Sequence, residues 1–158
     1  MTTENKTLEK ENDILLELVN INKDASEFYI KAQKQVKATD LKDKFKELES
    51  LHNSAISSFQ KELARNGADQ SDRAASETMV GKARQLFSDV ASKFSGNPDE
   101  TVISQLEEAE DRCLNSLQDA MTNENVSSNT KETLKSELEQ MRKSHDHMKA
   151  IKDTMKAA

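Results

Sequence analysis

Turn formers and aromatic residues are scarce in this chain. Among 158 residues there are 3 glycines, 1 proline, 1 tyrosine and no tryptophan. So few turn formers disfavour the closely spaced hairpins of an all-β fold and predict long helices. The single cysteine, Cys113, has no internal partner for a disulfide, which favours a reducing cytoplasm. No apolar run approaches the length needed to span a bilayer, and the opening "MTTENKTLEKEN" lacks the apolar centre of a signal peptide. A concentrated basic face is missing too. The net charge is −6, and lysines are interleaved with glutamates along every segment, so neither nucleic acid nor an anionic membrane is expected as a main partner. There is no glycine-rich phosphate loop, no paired-cysteine zinc motif and no serine in a nucleophile elbow, which leaves hydrolase and kinase chemistry without residues.

What is present is charge, at 33% of the chain, and apolar residues at helical spacing in five segments. The length suits one domain over 1–158, with a short polar tail over about 1–7. The first helix is expected from about Thr7 to Ala38, with Ile14, Leu18, Ile21, Ala25, Phe28, Ala32 and Val36 along one face. Thr39–Asp40 reads as the N-cap of a second helix, Leu41 to about Arg65, closed by Gly67. A shorter third helix is expected over 74–94, broken by "SGNPD". The fourth runs from about Pro98 to Met121 and the fifth from about Asn129 to Met155. Each long segment has one apolar stripe and a charged reverse, the pattern of helices that pack together. Four long helices and a short one predict an all-α, antiparallel four-helix bundle. The extra helix falls in the connection between its halves.

Some polar residues fall inside those stripes. His52 sits between Leu48, Ala55 and Ile56, with Glu49 on the shoulder. Glu110 is stacked between Leu106, Cys113 and Leu117, with Glu107 on the shoulder, and His145 lies between Met141 and Met148. Three helices thus aim ionisable groups inward, where they must meet each other, water or a metal. Glu49 and His52 form a Glu-x-x-His pair, the motif that dinuclear metal bundles use twice. The matching place three residues before His145 holds Arg142, and on the first helix Glu27 faces outward, leaving Asn22 as the polar residue nearest the stripe. The six-ligand pattern is therefore incomplete. A reduced site of Glu49, His52, Glu110 and His145, with Glu107 beside it, would suit iron, manganese or zinc. The alternative is that His52 and His145 pair with Glu110 or Glu107 and only fix helix register. Cys113 reads as a small buried hydrophobe, Tyr29 as a packed tyrosine with a satisfied hydroxyl, and His147 as an outward residue.

The stretches "LLELVNINKDASEFYIKA", "GKARQLFSDVASKFSG", "QLEEAEDRCLNSLQDAM" and "SHDHMKAIKD" together resemble an uncharacterised bacterial ferritin-like family, a domain of unknown function. The resemblance covers most of the length and implies a rubrerythrin-like four-helix bundle with a linking helix. It places metal ligands near Glu27, Glu49, His52, Glu107 or Glu110, and His145. Two functions are open: a bundle holding a divalent metal and tied to metal or oxidative stress, or a non-enzymatic bundle that docks a partner or a second copy of itself. Di-iron oxidase or peroxidase chemistry comes third, because no complete catalytic signature is present.

Overall fold

The computed structural model describes residues 3–68 and 99–157. Four helices make up nearly all of this: α1 is Thr3–Gln35, α2 Thr39–Arg65, α3 Asp99–Thr122 and α4 Ser128–Ala157. At the usual rise per residue they are about 36 to 50 Å long. The described chain is an all-α helical bundle without strands. The shorter helix expected over 74–94 lies outside the described residues. No helix among the described residues is long and apolar enough to cross a membrane.

The helix ends depart from expectation where local chemistry decides. α1 starts at Thr3, ahead of the expected Thr7, because the Glu- and Lys-rich sequence of its first turns is a strong helix former. It stops at Gln35, and Val36 drops into the core at 2% exposure. The N-cap of α2 is Ala38, with extended backbone and no side-chain cap bond. Thr39 and Asp40 lie inside the first turn instead, where the Asp40 charge complements the helix dipole. Gly67 ends α2 as expected. Its φ of 72° lets the Gly67 and Ala68 amides bond back to the Ala64 and Leu63 carbonyls at 3.0 and 2.9 Å, a Schellman closure that glycine allows without strain.

α1 and α2 form one hairpin and α3 and α4 a second. The hairpins meet along α1–α3 and α2–α4, so α1 faces α4 and α2 faces α3 only across the diagonal. At one end Glu11 of α1 meets Asn66, just past α2, and Ser127, just before α4. At the other, Val36, Leu41, Val102 and Ile103 share one apolar cluster. Hence α1 and α4 run one way while α2 and α3 run the other. The chain leaves α2 at one end of the bundle and enters α3 at the opposite end.

Apolar stripes supply the core in two separate clusters. The first holds Ile21, Phe28, Tyr29, Phe45, Leu48, Leu106 and Met148 among others. The second holds Leu15, Leu18, Phe59, Leu63, Leu117, Leu134 and Met141 among others. Burying side chains of this size stabilises by about 1.5–3 kcal/mol each relative to exposure. The clusters part between Val19 and Ile21 on α1, Leu48 and Ala55 on α2, Cys113 and Leu114 on α3, and Met141 and Met148 on α4. Asn22, His52, Glu110 and Ser144 lie at or within about a turn of that division, each at most 2% exposed.

A polar clamp closes the far end of the second cluster. Ser127 caps α4: its hydroxyl oxygen accepts from the Thr130 amide at 3.4 Å, and its carbonyl accepts from Lys131. A capping box would place Glu or Gln at position 130 to bond the Ser127 amide, but threonine stands there. Glu11 takes that role from another helix. Its Oε1 accepts from the Ser127 amide at 2.6 Å and its Oε2 from Asn66 Nδ2 at 2.6 Å. Beside it, buried Glu62 accepts from the Thr133 hydroxyl at 2.7 Å. Burial alone would raise the Glu11 carboxyl, but hydrogen bonds from Ser127, Asn66 and Thr130 hold it below its ordinary value of 4.5. Replacing Glu11 by alanine strands those donors and is expected to cost about 1–3 kcal/mol in urea denaturation near neutral pH. Because the folded carboxyl ionises more readily than the unfolded one, its support is complete above 4.5 and fades as pH falls. The gap between the parent and Glu11→Ala should therefore narrow on acidification.

Candidate functional site

Near the division between the two apolar clusters lie a fully buried imidazole and a fully buried carboxylate, His52 and Glu110. Their hydrogen-bond chain begins at α1, where Asn22 Nδ2 donates to the Leu18 carbonyl at 2.7 Å. That bond fixes the amide, so the oxygen of Asn22 faces His52 Nδ1 at 2.7 Å. An amide oxygen can only accept, which places a hydrogen on Nδ1. The opposite ring nitrogen, Nε2, lies 2.6 Å from Glu110 Oε1, across the diagonal of the bundle. Tyr29 donates its hydroxyl to the same Glu110 oxygen. One connected chain of hydrogen bonds thus joins α1, α2 and α3 at a single height. The Tyr29 ring stacks on the His52 ring at 5.6 Å between centroids and packs against Phe45 at 5.7 Å.

Burial sets the electrostatics. It would raise the Glu110 carboxyl, but His52 facing it, the Tyr29 hydroxyl and the nearby His145 more than offset that and hold it below its ordinary value. Burial pushes the Tyr29 phenol well above its ordinary value, and the Glu110 charge and hydrogen bond push further. The Cys113 thiol rises for the same two reasons, burial first and the Glu110 charge second. With the hydrogen of Nδ1 directed at Asn22, Nε2 and the Glu110 oxygen are both acceptors unless a proton is shared between them, so their 2.6 Å contact is a hydrogen bond only as a proton-sharing pair.

Of the five residues read from the sequence as candidate ligands, the structure brings two together, His52 and Glu110. Glu49 is half-buried and turned toward α1, where its Oε2 accepts from Gln33 Nε2 at 2.8 Å. Glu107 pairs with Lys152 on α4 at 2.7 Å. His145 is 20% exposed on the α3–α4 seam, with its Nε2 3.3 Å from Asp111 and its Nδ1 3.6 Å from Asp146. It therefore lies nearer the edge of its stripe than periodicity suggests, displaced toward an acidic partner on α3. Glu27 and His147 are exposed, as their outward positions imply. Among the described residues, no group of three or more His, Cys, Asp or Glu side chains is arranged to hold a metal ion.

Tyr29, Glu11 and Ser144 are among the buried residues with polar groups that the inward-ligand reading does not find. Tyr29 is the second donor to Glu110, and its place beside the α1 stripe was the signal. Glu11 lies four residues before Leu15 and seven before Leu18, a core position that spacing alone could have found. Ser144 lies midway between Met141 and Met148, but a serine attracts no attention on a stripe.

The family described as Domain of unknown function (DUF2383) matches residues 10–124. The chain belongs to this family. The DUF2383 match takes in most of α1, all of α2 and all of α3, and so contains Asn22, Tyr29, His52 and Glu110. No curated protein matches the chain, and no solved structure matches it.

Removing one partner of a dry ion pair leaves a charge without a counterpart. His52→Ala is expected to lose about 3–5 kcal/mol of stability, and Glu110→Gln, which keeps the volume, about 1–3 kcal/mol. The folded Glu110 carboxyl lies below its ordinary 4.5, so the Glu110→Gln penalty should be complete near neutral pH and shrink as pH falls below that value. Urea midpoints at several pH values check both. Cys113 is 1% exposed with a raised thiol, so a colourless-to-coloured thiol reagent should label it only as fast as the chain unfolds.

Proposed function

We propose that this chain is a ferritin-like, non-enzymatic helical scaffold whose buried polar layer fixes helix register and so holds its charged outer faces in one arrangement for a partner or a second copy. One observation carries the reading: both ring nitrogens of His52 are engaged by groups from other helices, Asn22 of α1 and Glu110 of α3. A residue bonded on both edges to separate helices defines their relative height, since sliding any of them by a turn would leave a buried charge unpaired. The ferritin-like assignment draws support from connectivity. The passage from α2 at one end to α3 at the other matches the single long crossover of such bundles.

A second reading, binding of iron, manganese or zinc in the core and a link to metal or oxidative stress, is favoured by one atom. Glu110 Oε2 is buried and has no hydrogen-bond partner among the described residues. Glu110 and His52 would supply the first two donors. His52 Nε2 would give up its proton, and Glu49, Glu107 and His145 would have to leave Gln33, Lys152 and Asp111 to complete a site.

The scaffold reading predicts that the apolar double variant His52→Leu, Glu110→Leu stays helical and loses uniqueness. Its amide nitrogen–proton spectrum should broaden or double while the parent gives one sharp set. A sharp single set from the double variant would refute the register role. Untagged protein titrated with Fe(II), Mn(II) and Zn(II) separates the two readings: stoichiometric uptake abolished by His52→Ala favours the metal, and no uptake favours the scaffold.

A further inference from the structure

The polar layer has a member on each helix, but its bonds join only three of them. Asn22, His52 and Glu110 are linked, while Ser144 on α4 has a buried hydroxyl with no partner among the described residues. Its silence is unusual for a helical serine. Ser58, Ser116 and Thr154 each bond back to the carbonyl four residues earlier, the ordinary resort of a hydroxyl on a helix. Ser144 does not, although it is 2% exposed and lies between Met141 of one apolar cluster and Met148 of the other. The neighbouring contact sets its height. His145 meets Asp111 at 3.3 Å, and because α3 and α4 are antiparallel the residues just before them, Glu110 and Ser144, are offset by two residue rises, about 3 Å along the hairpin, a gap that one water can bridge. The second orphan atom in this layer is Glu110 Oε2. A buried acceptor without a donor costs about 1–3 kcal/mol, and more when it is charged. Native interiors meet such needs with ordered water.

We infer that one internal water molecule completes the layer, donating to Glu110 Oε2 and bonding Ser144 Oγ, so that α4 joins the network of the other three helices. A neutral occupant fits the charge of the site. His52 and Glu110 already balance each other, and a cation added beside them would be left uncompensated in an apolar surround. Water also supplies what both orphans lack, since it donates to the carboxylate while accepting from or donating to the hydroxyl.

Oxygen-17 magnetic relaxation dispersion of metal-free protein counts water molecules held longer than the protein tumbles. Ser144→Val replaces the hydroxyl by two methyl groups, which removes its hydrogen bond and fills the space beside it. Loss of one long-lived water in this variant, with helicity retained, is the expected result. An unchanged count in the folded variant would overturn the inference. Should Ser144→Val fail to fold, a crystal structure of the unaltered chain decides. A water peak within hydrogen-bond distance of Glu110 Oε2 and Ser144 Oγ supports the inference. A closed gap, or a metal peak with anomalous signal, refutes it.

Discussion

A carboxylate and an imidazole meeting across the diagonal of a four-helix core set the terms for the rest of this bundle. Glu110 and His52 sit on helices that do not otherwise pack against each other, yet their side chains reach to 2.6 Å. Neither group can return to water without dragging its helix, and neither can be left alone in an apolar interior without a cost of several kcal/mol. The surrounding residues accommodate the pair. Asn22 is oriented by a main-chain carbonyl so that it presents oxygen to the ring. Tyr29 supplies a second donor, and the apolar stripes above and below part at that height. A layer of this kind contributes little net stability compared with well-packed leucines; under the proposed scaffold role its value is the penalty it places on wrong registers.

The two ends of the bundle solve a different problem, the unbonded amides and carbonyls of helix termini. α2 closes with a glycine in the left-handed region. α4 opens with Ser127, whose amide is held by Glu11 of α1. A carboxylate borrowed from another helix does more than cap, because it ties the α1–α2 hairpin to the α3–α4 hairpin at the end where α2 closes and α3 turns into α4. The interior layer and the end clamp are built from the same chemistry, a buried carboxylate held by donors from other helices, and both hold their carboxyls below the ordinary value. Acid should loosen both together.

Much of this was legible in the sequence. Scarce glycine and proline with helical periodicity gave the four long helices to within a few residues. Inward placement of His52 and Glu110 followed from their positions among leucines. What periodicity could not give was the partner of each inward group. Angle around a helix axis says that Glu107 and His145 lie near a stripe. It does not say that Lys152 and Asp111 stand opposite them, because that depends on the relative height of α3 and α4. The N-cap of α2 was misplaced by one residue, since the turn after α1 is set by Val36 entering the core rather than by Thr39 or Asp40. Ser144 was overlooked because a hydroxyl is read as neutral on either face. Its meaning comes only from the missing bond in three dimensions.

The account rests on His52 and Glu110 acting as a coupled pair, and a double-mutant cycle measures that coupling. Unfolding free energies of the parent, His52→Ala, Glu110→Gln and the double variant give an interaction term free of each residue's separate packing contribution. The account predicts a term of about 1–3 kcal/mol near neutral pH, toward the upper end of what contacting residues show. Additivity within about 0.5 kcal/mol would mean that the two side chains are energetically strangers, and the register role would fall with them.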